Sequence, residues 1–109
     1  MTCARFSPQP QRDLGEIFNF IARDNSEAAE QVRLTILNTA DLLAQRPDLG
    51  RNIRKAQPRH AQIRWSVVPR FRNYLIFYQP YQSTIIVVRV LHAARDWTRF
   101  FLSSSNPSE

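Results

Sequence analysis

A chain of 109 residues that is 43% hydrophobic, with seven Phe, can close one core and is too short for two. One cysteine, Cys3, cannot form an internal disulfide, and two histidines, His60 and His92, make no metal-ligand spacing with it, so neither metal nor cofactor is expected. The net charge is +6, no apolar run nears the roughly 20 residues that cross a bilayer, and "MTCARFSPQPQRD" lacks the apolar stretch of a signal peptide, so a cytoplasmic protein is expected.

"TCARF" (2–6) predicts an edge strand. Ser7 followed by Pro8 is a favoured helix entry, and Leu14, Ile17, Phe18 and Ile21 then follow the spacing of one apolar helix face. "RDNSE" interrupts that pattern, with Asp24 or Asn25 placed to cap a second helix. Ala29, Val32, Ile36, Ala40 and Leu43 continue on one stripe until Pro47 stops it. Two helices joined by so short a turn predict an antiparallel hairpin. "LGRNIRKAQPRHAQ" (49–62) has no stable period and is expected to be a basic loop. "IRWSVV", "NYLIFYQ" and "TIIVVRVL" are rich in β-branched and aromatic residues and are separated by the turns "PRFR" and "PYQS", which predicts three largely antiparallel strands. "ARDWTRFFL" is expected to form one or two helical turns, and "SSSNPSE" a disordered polar tail. The expected organisation is thus one domain over residues 1–102 and a tail over 103–109. Its fold class is α+β: an N-terminal strand and an antiparallel helical hairpin packed on a small, mainly antiparallel β-sheet.

Charge is unevenly placed. Residues 1–48 hold five basic and seven acidic side chains, whereas no acid stands between Asp48 and Asp96, an interval with nine cations. Such a field suits an anionic partner, whether nucleic acid, ribosome or an acidic protein segment. Fourteen of the fifteen cations are Arg, whose fork matches carboxylate and phosphate. Period-2 alternation groups Ile63, Trp65 and Val67 on one side of their strand, Leu75 and Phe77 on one side of the next, and Ile86, Val88 and Val90 on one side of the last. With these sets packed on the helices, the opposite face displays Arg64, Tyr74, Tyr78 and Arg89 as an open arginine–tyrosine platform. Arg89 and His92, three residues apart, fall on opposite faces of an uninterrupted strand, and no glycine there suggests a bulge. His92 then faces the helices and is expected to hold a local backbone hydrogen bond.

"SPQPQRDLGEIFNFIARDNSEAA", "LLAQRPDLGR", "IRWSVVPRFRNYLIFYQP" and "IIVVRVLHAARDW", in that order, resemble the ParE branch of the RelE/ParE toxin superfamily across residues 6 to 100. The resemblance implies the helical hairpin on a small sheet, and the toxin of a type II toxin–antitoxin pair of the kind associated with plasmid stabilisation. It implies a partner antitoxin with a ribbon-helix-helix part and an extended neutralising segment, and DNA gyrase as a target poisoned by binding, without sequence-specific DNA binding by the toxin alone. RelE-like relatives instead cut mRNA on the ribosome, and some family members bind antitoxin without being toxic. The chain departs from the pattern in its 51–62 loop, which lacks the usual acid and glycine, and in "RWSVVPRF", which has "WS" for the reverse order and an arginine for a frequent glycine.

RNA cleavage of the RelE kind needs a proton acceptor, a proton donor and cations for the phosphorane charge. The candidates are Arg64, Arg89, Tyr78 and His92, yet nothing in the sequence activates a phenol whose ordinary pKa is about 10. Partner binding is assigned to Arg64, Arg70, Tyr74, Tyr78, Arg89 and Trp97, the last beside Phe100 and Phe101 as an apolar anchor for an acidic antitoxin segment.

Overall fold

In the computed structural model, which describes residues 3–53 and 62–94, the chain runs β1 (Arg5–Phe6), α1 (Pro8–Ala22), α2 (Ser26–Gln45), a 3-10 turn (Pro47–Leu49), β2 (Arg51–Asn52), β3 (Arg64–Val67), β4 (Tyr74–Tyr81) and β5 (Thr84–His92). Pro8 suits the first helical turn of α1 because its φ is already set. Ser7 does not cap that helix. Its hydroxyl and its N–H both donate to the Val87 carbonyl, at 2.9 and 3.3 Å, and so pin the helix start to β5. At α2 the cap is Asn25, whose Oδ1 accepts the Ala28 N–H at 3.0 Å. Arg46 closes α2, and Pro47 opens the turn that follows.

The sheet has the order β1-β5-β4-β3-β2, with β1 parallel to β5 and every other pair antiparallel. This agrees with the expected α+β class, with two local differences. The N-terminal strand is two residues long rather than five. The stretch expected to be loop contributes a strand, since Arg51 and Asn52 pair with Trp65 and Arg64. The C-terminal turns, the polar tail and Trp97 lie outside the described residues.

The larger correction concerns faces. The core that includes Val32, Ile36, Ala40 and Leu43 of α2 takes Ile76 and Tyr78 from β4 and Ile85, Val87 and Val90 from β5, with Leu14, Ile17 and Ile21 of α1 and Tyr74 packed against it. Ile63, Leu75, Phe77 and Leu91, with Trp65, Val67 and Val88, form a second cluster that contains no helical residue. The sets expected to meet the helices on β3 and β4 therefore point away from them. On β5 the alternation breaks. Phe77 pairs with Arg89 and Tyr78 with Val87, so Val88 is an extra residue, a β-bulge formed without glycine. Val87 and Val90, an odd interval apart, both reach the helix-side core as a result.

Two turns place non-glycine residues in left-handed backbone, Arg70 at φ 73° between β3 and β4 and Gln82 at φ 54° between β4 and β5. Gln82 is the first central residue of a two-residue hairpin turn, a position that favours glycine. Gln82→Gly should therefore raise the unfolding free energy by about 1 kcal/mol, while Asn25→Ala should lower it by about 1 kcal/mol through loss of the cap. Urea unfolding of both variants checks the opposite signs.

Candidate functional site

Asp13 stands on the apolar stripe of α1 and is 4% exposed. A carboxylate there is costly unless its oxygens are occupied. They are: Arg89 donates to both, Nε to Oδ2 and Nη2 to Oδ1, each at 2.9 Å. The Val90 N–H adds a bond to Oδ2 at 3.0 Å and Gln9 Nε2 one to Oδ1 at 3.1 Å. The β5 bulge brings Val90 to the helix side, and the long Arg89 side chain reaches the same carboxylate. Arg89, expected on an open platform, is instead the half-buried counter-charge of the first helix.

Tyr78 is fully buried. Its hydroxyl donates to the Pro47 carbonyl at 2.7 Å and accepts the Gly50 N–H at 2.8 Å. Arg64, opposite Tyr78 across β3 and β4, donates from Nη1 to the Gly50 carbonyl at 2.6 Å. The approach is so close that a Cβ on Gly50 would lie 2.3 Å from the Tyr78 hydroxyl oxygen. These three residues clamp the exit of α2 onto the sheet. Burial pushes the Tyr78 phenol above its ordinary pKa and Asp48 adds to the rise, whereas the Gly50 N–H bond and the Arg64 charge oppose it.

Tyr74 and His92 face each other across β4 and β5, with ring centroids 5.2 Å apart and planes at 82°, edge to face. His92 Nδ1 accepts the Ala94 N–H at 3.0 Å. Burial raises the Tyr74 phenol as well. Arg70 sits apart from these groups, exposed in the β3–β4 turn, with its guanidinium 5.2 Å from the Phe71 ring and Nη1 donating to Gln31 Oε1 at 3.3 Å. Arg64, Tyr74 and Tyr78 do share one sheet face, while Arg89 pairs with Phe77 across the strands and reaches α1 with its guanidinium. That face is the one the helices cover, so the open platform does not exist. As acid, base or phosphate ligand, Arg64, Tyr78 and Arg89 would each first have to leave a partner within the chain. Among the described residues no three His, Cys, Asp or Glu side chains come together as metal ligands, and no described helix is long and apolar enough to cross a membrane.

Two features escape a reading of the sequence by periodicity. One is Asp13 itself, although an acid four residues before Ile17 on an apolar stripe was the available signal. The other is a groove of about 340 Å³ lined by Asp13, Glu16, Ile17 and Phe20 of α1 and by Tyr74, Val90, Leu91 and His92 of the sheet. Phe20 stands at it 67% exposed.

The internal partners make the arginines structural. Asp13→Ala should cost about 3 kcal/mol by removing the counter-charge of the Arg89 guanidinium, and the Asp13→Ala/Arg89→Ala pair should cost clearly less than the sum of the single changes, as a double-mutant cycle of urea unfolding would read. Tyr78→Phe should cost about 1–3 kcal/mol through the unpaired Gly50 N–H and Pro47 carbonyl. A Tyr78→Phe protein that melts like the parent would refute the clamp.

With this geometry in place, comparison with known proteins is informative. A family model described as "ParE toxin of type II toxin-antitoxin system, parDE" matches residues 4–97. No curated protein sequence matches the chain. Among solved structures, a chain from "Chromosomal ParDE TA system from P. aeruginosa" is similar, with a TM-score of 0.67 and 16% identity over 84% of this chain and 96% of that one. At that identity the likeness is one of fold.

Proposed function

The chain belongs to the ParE toxin family of type II toxin–antitoxin systems, and we propose that it acts by binding and poisoning DNA gyrase and is neutralised by a cognate antitoxin. The observation that carries this reading is the match over residues 4–97, which spans every described strand and helix. A mode of action by binding is further supported by the side chains that RNA cleavage would need. Arg64, Tyr78 and Arg89 are held by Gly50, Pro47 and Asp13, and the Tyr78 phenol is raised by burial rather than activated.

The antitoxin is proposed to be of the ribbon-helix-helix type, with an acidic, apolar-studded segment that meets the cations left exposed. These are Arg51, Arg70 and Arg72 among the described residues of the basic interval. Opposite charge there speeds encounter more than it deepens affinity. Of the residues first assigned to the partner, Arg70, Tyr74 and Trp97 retain that role in this proposal. Tyr78 is out of reach of any partner while the fold is closed, and Arg64 and Arg89 act on the fold. The site of action is proposed to be the cytoplasm, where gyrase and its DNA are found.

Purified toxin added to gyrase should inhibit supercoiling or trap cleaved DNA, and should leave mRNA intact in a translation extract. Codon-dependent cuts in the mRNA would overturn the gyrase assignment in favour of a RelE-like nuclease. Stable complex formation with the product of an adjacent reading frame, with neither effect, would identify a non-toxic antitoxin-binding relative.

A further inference from the structure

The groove between α1 and the ends of β4 and β5 borders the Asp13–Arg89 pair and lies apart from the Tyr78 clamp. Its walls are apolar, with Ile17 and Phe20 on the helix and Leu91 on the sheet. Phe20 is the most exposed of the large apolar residues in the described chain. At about 340 Å³ the groove lies at the small end of the range for ligand pockets, about 300–1,000 Å³, a size suited to one large side chain.

Its polar groups are few and distinct. Because His92 Nδ1 accepts the Ala94 N–H, the neutral ring carries its proton on Nε2, a donor with no partner among the described residues. The Tyr74 hydroxyl has no hydrogen-bond partner among the described residues. The two ionised side chains in the lining are both carboxylates. Asp13 is neutralised by Arg89, while Glu16, one helical turn further on, has no ion pair among the described residues. In a chain of net charge +6 the groove is thus a negative spot with apolar walls. Charge complementarity selects a cation beside an apolar anchor.

We infer that this groove receives a peptide segment of the antitoxin through one large apolar side chain, flanked by a Lys or Arg that pairs with Glu16, while His92 and Tyr74 meet a backbone carbonyl. The source of the segment rests on the toxin reading above; the chemistry of the groove does not.

The test uses the full chain, isotope-labelled, and three blocked peptides: acetyl-Ser-Trp-Lys-amide, acetyl-Ser-Trp-Glu-amide and acetyl-Ser-Ser-Lys-amide. The Trp-Lys peptide should shift the NMR signals of Phe20, Tyr74 and His92, and the Ser-Lys peptide should not. Trp-Lys should bind about three-fold more tightly than Trp-Glu, the scale of an exposed ion pair, and Glu16→Gln should erase that difference. Shifts confined to other surfaces, or equal binding of the Trp-Lys and Trp-Glu peptides, would overturn the inference. So would concentration-dependent shifts of the groove without peptide, which identify a second copy as occupant. Binding that emerges only in Trp97→Ala would overturn it in favour of the chain's own C-terminal segment. Failure of the peptides alongside intact antitoxin binding retires the groove and leaves the toxin reading standing, whereas loss of both the gyrase effect and the antitoxin complex retires that reading.

Discussion

The Asp13 carboxylate decides how the first helix sits on the sheet. Burying a carboxylate costs several kcal/mol, and only a set of donors fixed in place offsets that. Arg89 supplies two, the Val90 N–H a third and Gln9 a fourth. The Val90 donor is available because β5 bulges at Val88 and releases it from the regular ladder. The charge on α1, the Val90 N–H beside the bulge and the guanidinium of Arg89 therefore meet at one carboxylate.

A second device holds the far end of the hairpin. Tyr78 bridges the carbonyl of Pro47 and the N–H of Gly50, and Arg64 takes the carbonyl of Gly50. Together these satisfy backbone groups in the chain that leaves α2, where helical hydrogen bonding has ended. The short β2 strand follows from this geometry, since Gly50 delivers Arg51 and Asn52 to the edge of β3. Asp13 fixes the hairpin from α1, and Tyr78 fixes it from α2.

Both devices consume cations from the basic interval, with a direct bearing on function. The field a partner meets is smaller than the sequence implies, because Arg64 and Arg89 are turned inward. Arg51 lies 5.9 Å from the Trp65 ring, and Arg70 and Arg72 project from the β3–β4 turn, so among the described residues of the basic interval the exposed positive charge sits on the edge and turns of the sheet. The groove beside Phe20 carries the opposite sign. A partner that covers this surface meets cations in one place and an acid-lined apolar slot in another, a pattern that sets orientation as well as affinity.

The amino-acid sequence by itself determined the elements. The apolar spacing in α1 and α2, Pro8 and Pro47 at their ends and the aliphatic runs of β3 to β5 are local signals, and local signals survive folding. Alternation also determined that Arg64, Tyr74 and Tyr78 share a face. It could not choose which face the helices cover, because both faces are apolar: Leu75 and Phe77 on one side and Ile76 and Tyr78 on the other are all buried. When neither side is marked by polarity, period-2 patterning is symmetric, and only a long-range partner breaks the symmetry. That partner is Asp13, 76 residues from Arg89 in the chain. Its carboxylate needs a guanidinium and a free N–H in the same place, and the tertiary structure meets that need with a bulge for which the sequence shows no glycine.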